Sequence, residues 1–122
     1  MCQVLVVEDD RNQQLLIQEE LEEEGYTIAT VGSAQEALDH MNAQMPDVVV
    51  LDLHLPGKDG IELLGEILSI NNHIPVVIHS AFASYKESFM TWAADAYVVK
   101  EPSFCRLKEA IREVVEKQHV AS

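Results

Sequence analysis

Uninterrupted apolar runs punctuate the chain at Val4–Val7, Val48–Leu51, Pro75–Ile78 and Ala96–Val99, and most of their residues are β-branched. Runs of this kind suit strands covered on both faces, as in a parallel sheet. A further stretch, Tyr26 to Val31, alternates roughly between apolar and polar and fits a strand nearer the sheet edge. Helical spacing fills the gaps. Residues 11–24 carry Leu15, Leu16 and Leu21 among Gln and Glu, and Gly25 stops the pattern. Ser33 and Glu36 form a capping box, the serine capping the helix start and the glutamate reaching back. That helix runs through Ala37, Leu38 and Met41 to Met45, where Pro46 prevents its continuation.

A third helix, from about Asp59 to Ile70, sets Ile61, Leu64, Ile67 and Leu68 on one face. The segment 85–93 is weakly amphipathic and predicts a more loosely packed helix. Ser103 caps a last helix that carries Leu107, Ile111, Val114 and Val115. Five strand–helix pairs in alternation predict an α/β fold. Its doubly wound, five-stranded parallel sheet carries helices on both faces, joined by right-handed crossovers.

Composition narrows the function. With 122 residues the chain makes one domain, and its apolar fraction of 48% with few aromatics fits an aliphatic interior. Eight basic against 21 acidic residues give a net charge of −13. That excess argues against direct binding to nucleic acid or to an anionic membrane. Cys2 and Cys105 lie far apart without a CxxC pattern, as in a reduced, cytoplasmic protein. His40, His54, His73, His79 and His119 show no metal-ligand spacing. No basic leader precedes the short run Val4–Val7, and nothing approaches a membrane span.

The strand ends carry the chemistry. The first strand ends on Glu8-Asp9-Asp10, and the third on Asp52, ahead of the turn residues Pro56, Gly57 and Gly60. The fourth ends on His79-Ser80-Ala81 and the fifth on Lys100. In open α/β sheets ligands bind at this carboxyl edge, which collects Glu8, Asp9, Asp52, Ser80 and Lys100. Clustered carboxylates repel one another and need a cation or raised pKa values. Mg²⁺ answers that need with a few protein oxygens and its own waters. An ammonium and a hydroxyl beside it suit the equatorial oxygens of a phosphoryl group in transfer. Asp52, central in the sheet, is then the candidate nucleophile for an aspartyl phosphate.

The motifs VLVVEDD (4–10), DVVVLDLHLPGKDGIELL (47–64), HSA (79–81) and AYVVK (96–100) resemble the receiver domains of bacterial two-component response regulators. The resemblance covers essentially residues 1–122. It implies a flavodoxin-like (βα)5 fold with strand order 2-1-3-4-5. It makes Glu8 and Asp9 the acidic pair for Mg²⁺, and Asp52 the phosphoacceptor and third ligand, with the backbone carbonyl of His54 completing the set. Ser80 and Tyr97 stand at the switch positions, and Lys100 at the position of the family's lysine. His54 and Phe82 flank the path of the hydrolytic water.

The implied donor is a sensor histidine kinase or a phosphotransfer protein. The implied reader is an output domain or downstream protein on the face made by the weak helix, strand five and the last helix. Pairing of two phosphorylated copies is a further implied contact. The resemblance makes the chain a regulatory phosphoacceptor that assists its own phosphorylation and dephosphorylation, not an enzyme. It departs from the family after the lysine, where Lys100-Glu101-Pro102 replaces the usual Lys-Pro pair. A cis Lys100–Glu101 bond would cost about 2.5–4 kcal/mol, so a trans bond is expected. Pro102 also biases Glu101 toward extended geometry.

Simpler roles suit several other residues. Asp10 faces solvent or caps the first helix. His79 is expected to be packed and hydrogen-bonded, and the ring of His54 is not a phosphate carrier. Phe89, Met90 and Trp92 suit either core or a docking surface, and Glu19 to Glu24 a solvated helix face. A phosphohydrolase would want a second acid where His54 stands. A flavin carrier would want a Ser/Thr/Gly-rich loop where Glu8-Asp9-Asp10 would repel phosphate. A receiver-like module that only binds partners would have no use for Asp52, Lys100 and the acidic pair.

Overall fold

The computed structural model describes residues 2–55, 57–81 and 94–121. Phe82 and the segment 85–93, with Phe89, Met90 and Trp92, lie outside the described residues. The elements are β1 (Gln3–Val7), α1 (Arg11–Glu22), β2 (Thr27–Val31), α2 (Ala34–Ala43), β3 (Val48–Leu51), β4 (His54–Leu55), β5 (Lys58–Asp59), α3 (Gly60–Ile70), β6 (Val76–Ser80), β7 (Ala96–Val99) and α4 (Cys105–Ala121). The main sheet has five strands in the order β2-β1-β3-β6-β7, and every pair is parallel. Counted along that sheet alone, the order is the expected 2-1-3-4-5. The small antiparallel hairpin β4-β5 is an addition, with Gly57 at φ +77°.

The apolar runs are continuous because both faces of each central strand are covered. Val4, Val6, Val48, Val50, Val77 and Val98 meet Ile17 and Leu21 of α1 and Leu107 and Ile111 of α4. Their neighbours Leu5, Val7, Val49, Leu51, Val76 and Ile78 meet Ala37 and Met41 of α2 and Leu64 and Ile67 of α3. The two-residue period of a strand sends successive side chains to opposite layers.

Some local expectations need correction. In α1 the leucines Leu15 and Leu16 stand 49% and 46% exposed, while Ile17 and Leu21 carry the buried face. Those two are four apart and stack on one side of the helix, whereas Leu15 and Leu16 point away from it. Ser33 does cap α2, accepting from the Glu36 amide at 3.2 Å, but the Glu36 carboxylate accepts from Gly32 N–H at 2.9 Å. The returning bond thus falls one residue before the cap. Helix α2 closes at Ala43, with Gln44 N–H on His40 O, ahead of the expected Met45.

Strand β6 continues through His79 and Ser80 because β7 extends beside it, pairing Ser80 with Val99. Ser103 Oγ accepts from Cys105 N–H at 3.2 Å, but the first helical bond of α4 runs from Lys108 N–H to Phe104 O. No peptide bond among the described residues is cis, so Lys100–Glu101 has the expected trans geometry.

Candidate functional site

Neighbouring strands β1 and β3 end level, with Val7 opposite Leu51 and Asp52 N–H bonded to Val7 O at 3.0 Å. The next residue on each strand is an acid. Glu8 is only 2% exposed and Asp52 only 5%, while Asp9 faces outward. One carboxylate oxygen from each of the three lies within 4.8 Å of the others. Three hard oxygen donors, two of them buried, fit a divalent cation such as Mg²⁺.

Lys100 answers the same negative charge from the next strand pair. Its backbone N–H bonds Ser80 O at 2.8 Å, which fixes the end of β7 against the end of β6. Its ammonium reaches Glu8 Oε1 at 2.6 Å and Asp52 Oδ2 at 3.0 Å. Burial pushes the Lys100 pKa down, but its bonds to Glu8 and Asp52 outweigh that and raise it on balance. For Glu8 burial dominates, and with the Asp52 charge it lifts the carboxyl to about 7 against the pull of Lys100 and the Asp10 amide. The ammonium therefore stays charged while one buried acid gives up charge readily.

The other Asp52 oxygen, Oδ1, accepts from His54 N–H at 2.9 Å, while the His54 side chain is exposed. Ser80 is fully buried at the end of β6. Tyr97 lies on β7 opposite Ile78, half-buried against the layer shared with α2 and α3. The structure thus gathers Glu8, Asp9, Asp52 and Lys100 around one point, with Ser80 and the His54 backbone at its margin. Tyr97 stands one layer away, and Phe82 lies outside the described residues.

The remaining candidates divide cleanly. Asp10 is the N-cap of α1, its carboxylate accepting from Asn12 and Gln13 N–H. His79 is buried and stacked obliquely on Phe104, with ring centroids 6.4 Å apart. Among the described residues its Nδ1 has no hydrogen-bond partner, contrary to expectation at that atom. Burial, then the Lys100 charge, lowers its pKa to about 4 against the pull of Asp52, so the ring is neutral. The acidic end of α1 is more than a solvated face. Lys108 of α4 reaches Glu20 at 3.0 Å and Glu23 at 3.8 Å, and Arg112 reaches Glu24 at 2.8 Å. A contact with no signal in the sequence also appears: Gln14 Nε2 donates to the backbone carbonyl of Glu8 at 2.5 Å.

The family model of the response regulator receiver domain matches residues 4–112. The chain belongs to the response regulator receiver family. Among curated proteins this receiver resembles the transcriptional regulatory protein ZraR of Escherichia coli K12. The two are 33% identical over 119 residues, which is 95% of the chain and 27% of that relative. The chain spans about a quarter of the length of the curated relatives it matches first.

Among solved structures it resembles the response regulator TrrA of Thermotoga maritima in complex with Mg²⁺-BeF, at 39% identity and a TM-score of 0.89. That match covers 93% of this chain and 98% of TrrA. TrrA in complex with the histidine kinase ThkA matches at 39% identity and a TM-score of 0.87, covering 93% and 97%. No helix among the described residues is long and apolar enough to cross a membrane.

Proposed function

We propose that this receiver is a phosphoacceptor switch in a two-component phosphorelay, with Asp52 the phosphorylated residue. The observation that carries the reading is the convergence of Glu8, Asp9 and Asp52 within 4.8 Å, with the Lys100 ammonium 3.0 Å from Asp52. Glu8, Asp9 and Asp52, with the His54 carbonyl, would hold Mg²⁺, which supplies positive charge to the phosphoryl oxygens when bound. An Asp52 oxygen forms the new bond to phosphorus as the donor's P–N bond breaks, and that electron pair leaves with the histidine nitrogen. Lys100 and the Ser80 hydroxyl then bind phosphoryl oxygens, and His54 N–H steadies the carboxyl.

A histidine kinase or phosphotransfer protein is the donor this reading requires, in line with the solved complex of TrrA and ThkA. Residues 1–122 act as one receiver domain in the cytoplasm, a regulatory acceptor and not a turnover enzyme. An output domain or a downstream protein reads the switch, in line with the name of ZraR as a transcriptional regulatory protein. Ser80 and Tyr97 carry the switch toward the surface around β7 and α4. That surface takes the partner or a second phosphorylated copy. Incubating the chain with acetyl phosphate and Mg²⁺ should add a single hydroxylamine-labile phosphate, read by mass spectrometry. Retention of that label in Asp52→Asn would overturn the assignment.

A further inference from the structure

Strand β1 delivers Glu8 and Asp9 at the point where its ladder runs out. Glu8 N–H still bonds Val31 O at 3.0 Å, and the Val7 carbonyl still accepts Asp52 N–H. The next carbonyl, that of Glu8, lies past the last rung and needs another partner. Gln14 provides it from the first turns of α1, donating Nε2 at 2.5 Å. The Gln14 backbone N–H bonds Asp10 O at 2.9 Å, so this side chain springs from an already fixed turn. Gly32 lies against the contact from the far side, where a Cβ would stand 3.5 Å from Gln14 Nε2 and 3.9 Å from Glu8 O.

The Glu8 carbonyl shares one rigid peptide plane with the Asp9 N–H. Holding that oxygen fixes the rotation of the plane, and with it the place of Asp9 Cα, from which the Asp9 side chain departs. The Glu8 carboxylate is anchored separately, by Lys100 at 2.6 Å and by Asp10 N–H at 3.1 Å. Gln14 therefore acts chiefly on Asp9, the exposed member of the acidic trio.

We propose that Gln14 is a positioning residue for the metal site: its side-chain amide orients the Glu8–Asp9 peptide so that Asp9 converges with Glu8 and Asp52. The proposal rests on reading those three carboxylates as the Mg²⁺ site. A neutral amide suits the task, because it donates a hydrogen bond without adding a charge that would repel the cation. Partners of this outer kind typically matter by 10–100-fold in metal affinity. With a single peptide plane released, the lower end of that range, about tenfold, is expected here.

The test is calorimetric titration of Mg²⁺ into the full chain and into Gln14→Met, which keeps side-chain length and helix propensity but donates nothing. The variant should bind Mg²⁺ about tenfold more weakly, with a melting temperature in EDTA lowered only by the loss of one hydrogen bond at the part-buried Glu8 carbonyl. Its phosphorylation by acetyl phosphate should need more Mg²⁺ for half-saturation yet reach the parent rate at saturation. Equal Mg²⁺ affinity in parent and variant, or a rate defect that survives saturating Mg²⁺, overturns the proposal alone. A parent that binds no Mg²⁺ overturns the metal reading itself and this proposal with it. Should Gln14→Met fail to fold, NMR of the parent decides. A dispersed, slowly exchanging Gln14 side-chain amide that moves on Mg²⁺ addition supports the role, and a solvent-averaged one overturns it.

Discussion

Lys100 Nζ lies closer to Glu8 Oε1, at 2.6 Å, than to Asp52 Oδ2, at 3.0 Å, so one ammonium is shared by two buried carboxylates. The lysine assigned to phosphoryl binding is also the internal counterion of the acidic cluster. Removing it leaves both acids uncompensated. Breaking a buried pair from one side typically costs about 3–5 kcal/mol, and with Lys100 partly exposed the lower end applies. Lys100→Met should therefore lose about 3 kcal/mol in urea unfolding at neutral pH without Mg²⁺. Part of that loss should return on adding Mg²⁺ or on combining the change with Glu8→Gln. If Lys100→Met is as stable as the parent, the ammonium does not compensate this cluster.

His79 gives stability an acid limit of its own. Its folded pKa is lowered from 6.5 to about 4 by burial and by the Lys100 charge, against Asp52. Between those values the unfolded chain binds a proton that the folded chain refuses. The stability His79 contributes is thus fully present above 6.5 and is lost as pH falls through about 4. Glu8 runs the other way: its folded pKa of about 7 exceeds the ordinary 4.5, so its contribution declines as pH rises through that window. His79→Leu should flatten the acid side of the stability profile, and Glu8→Gln the neutral side. Profiles from urea unfolding that stay parallel to the parent in His79→Leu would show that the ring does not resist protonation.

Much of this was legible because a parallel sheet writes itself as unbroken apolar runs. The acids and the lysine were legible because they stop those runs at one edge. Helix α1 was harder to read. Leu15 and Leu16 are as hydrophobic as Ile17 and Leu21, and only the direction of the helix against the sheet decides which pair is buried. The hairpin β4-β5 has two residues per strand, too few for any period to show. Neither the Lys100–Glu8 bridge nor the Gln14 contact has a sequence signature. Each depends on how far a flexible side chain reaches across elements that are 92 and six residues apart.

Asp9 should be the separable member of the trio. It is exposed, so truncating it opens no cavity and strands no buried partner. Asp9→Ala should keep stability without Mg²⁺ within about 0.5 kcal/mol of the parent. It should weaken Mg²⁺ binding by more than the roughly tenfold expected for Gln14→Met, since it removes a ligand and not a ligand's support. Mg²⁺ titration and urea unfolding on the same preparation separate the two effects. Undiminished Mg²⁺ affinity in Asp9→Ala would remove Asp9 from the site.

Gly60 couples the fold to the site through the backbone of Leu53. It opens α3, and its N–H bonds Leu53 O at 3.0 Å. A Cβ there would fall 2.3 Å from Leu53 Cα and 2.5 Å from Leu53 O, both backbone atoms that cannot swing aside. Leu53 is the residue between Asp52 and His54, whose N–H holds Asp52 Oδ1 at 2.9 Å. Gly60→Ala should therefore destabilise by about 1–3 kcal/mol through overpacking, although alanine favours a helix interior by about 1 kcal/mol. Displacing Leu53 should also loosen the His54–Asp52 bond and slow phosphorylation even at saturating Mg²⁺. Gly25→Ala is the control: Gly25 takes φ +93° with nothing among the described residues within 4 Å of an added methyl, so backbone strain is the defect expected there. It should cost about 1–2 kcal/mol and leave phosphorylation at the parent rate. A Gly60→Ala protein as stable and as readily phosphorylated as the parent would show that this close approach does not shape the site.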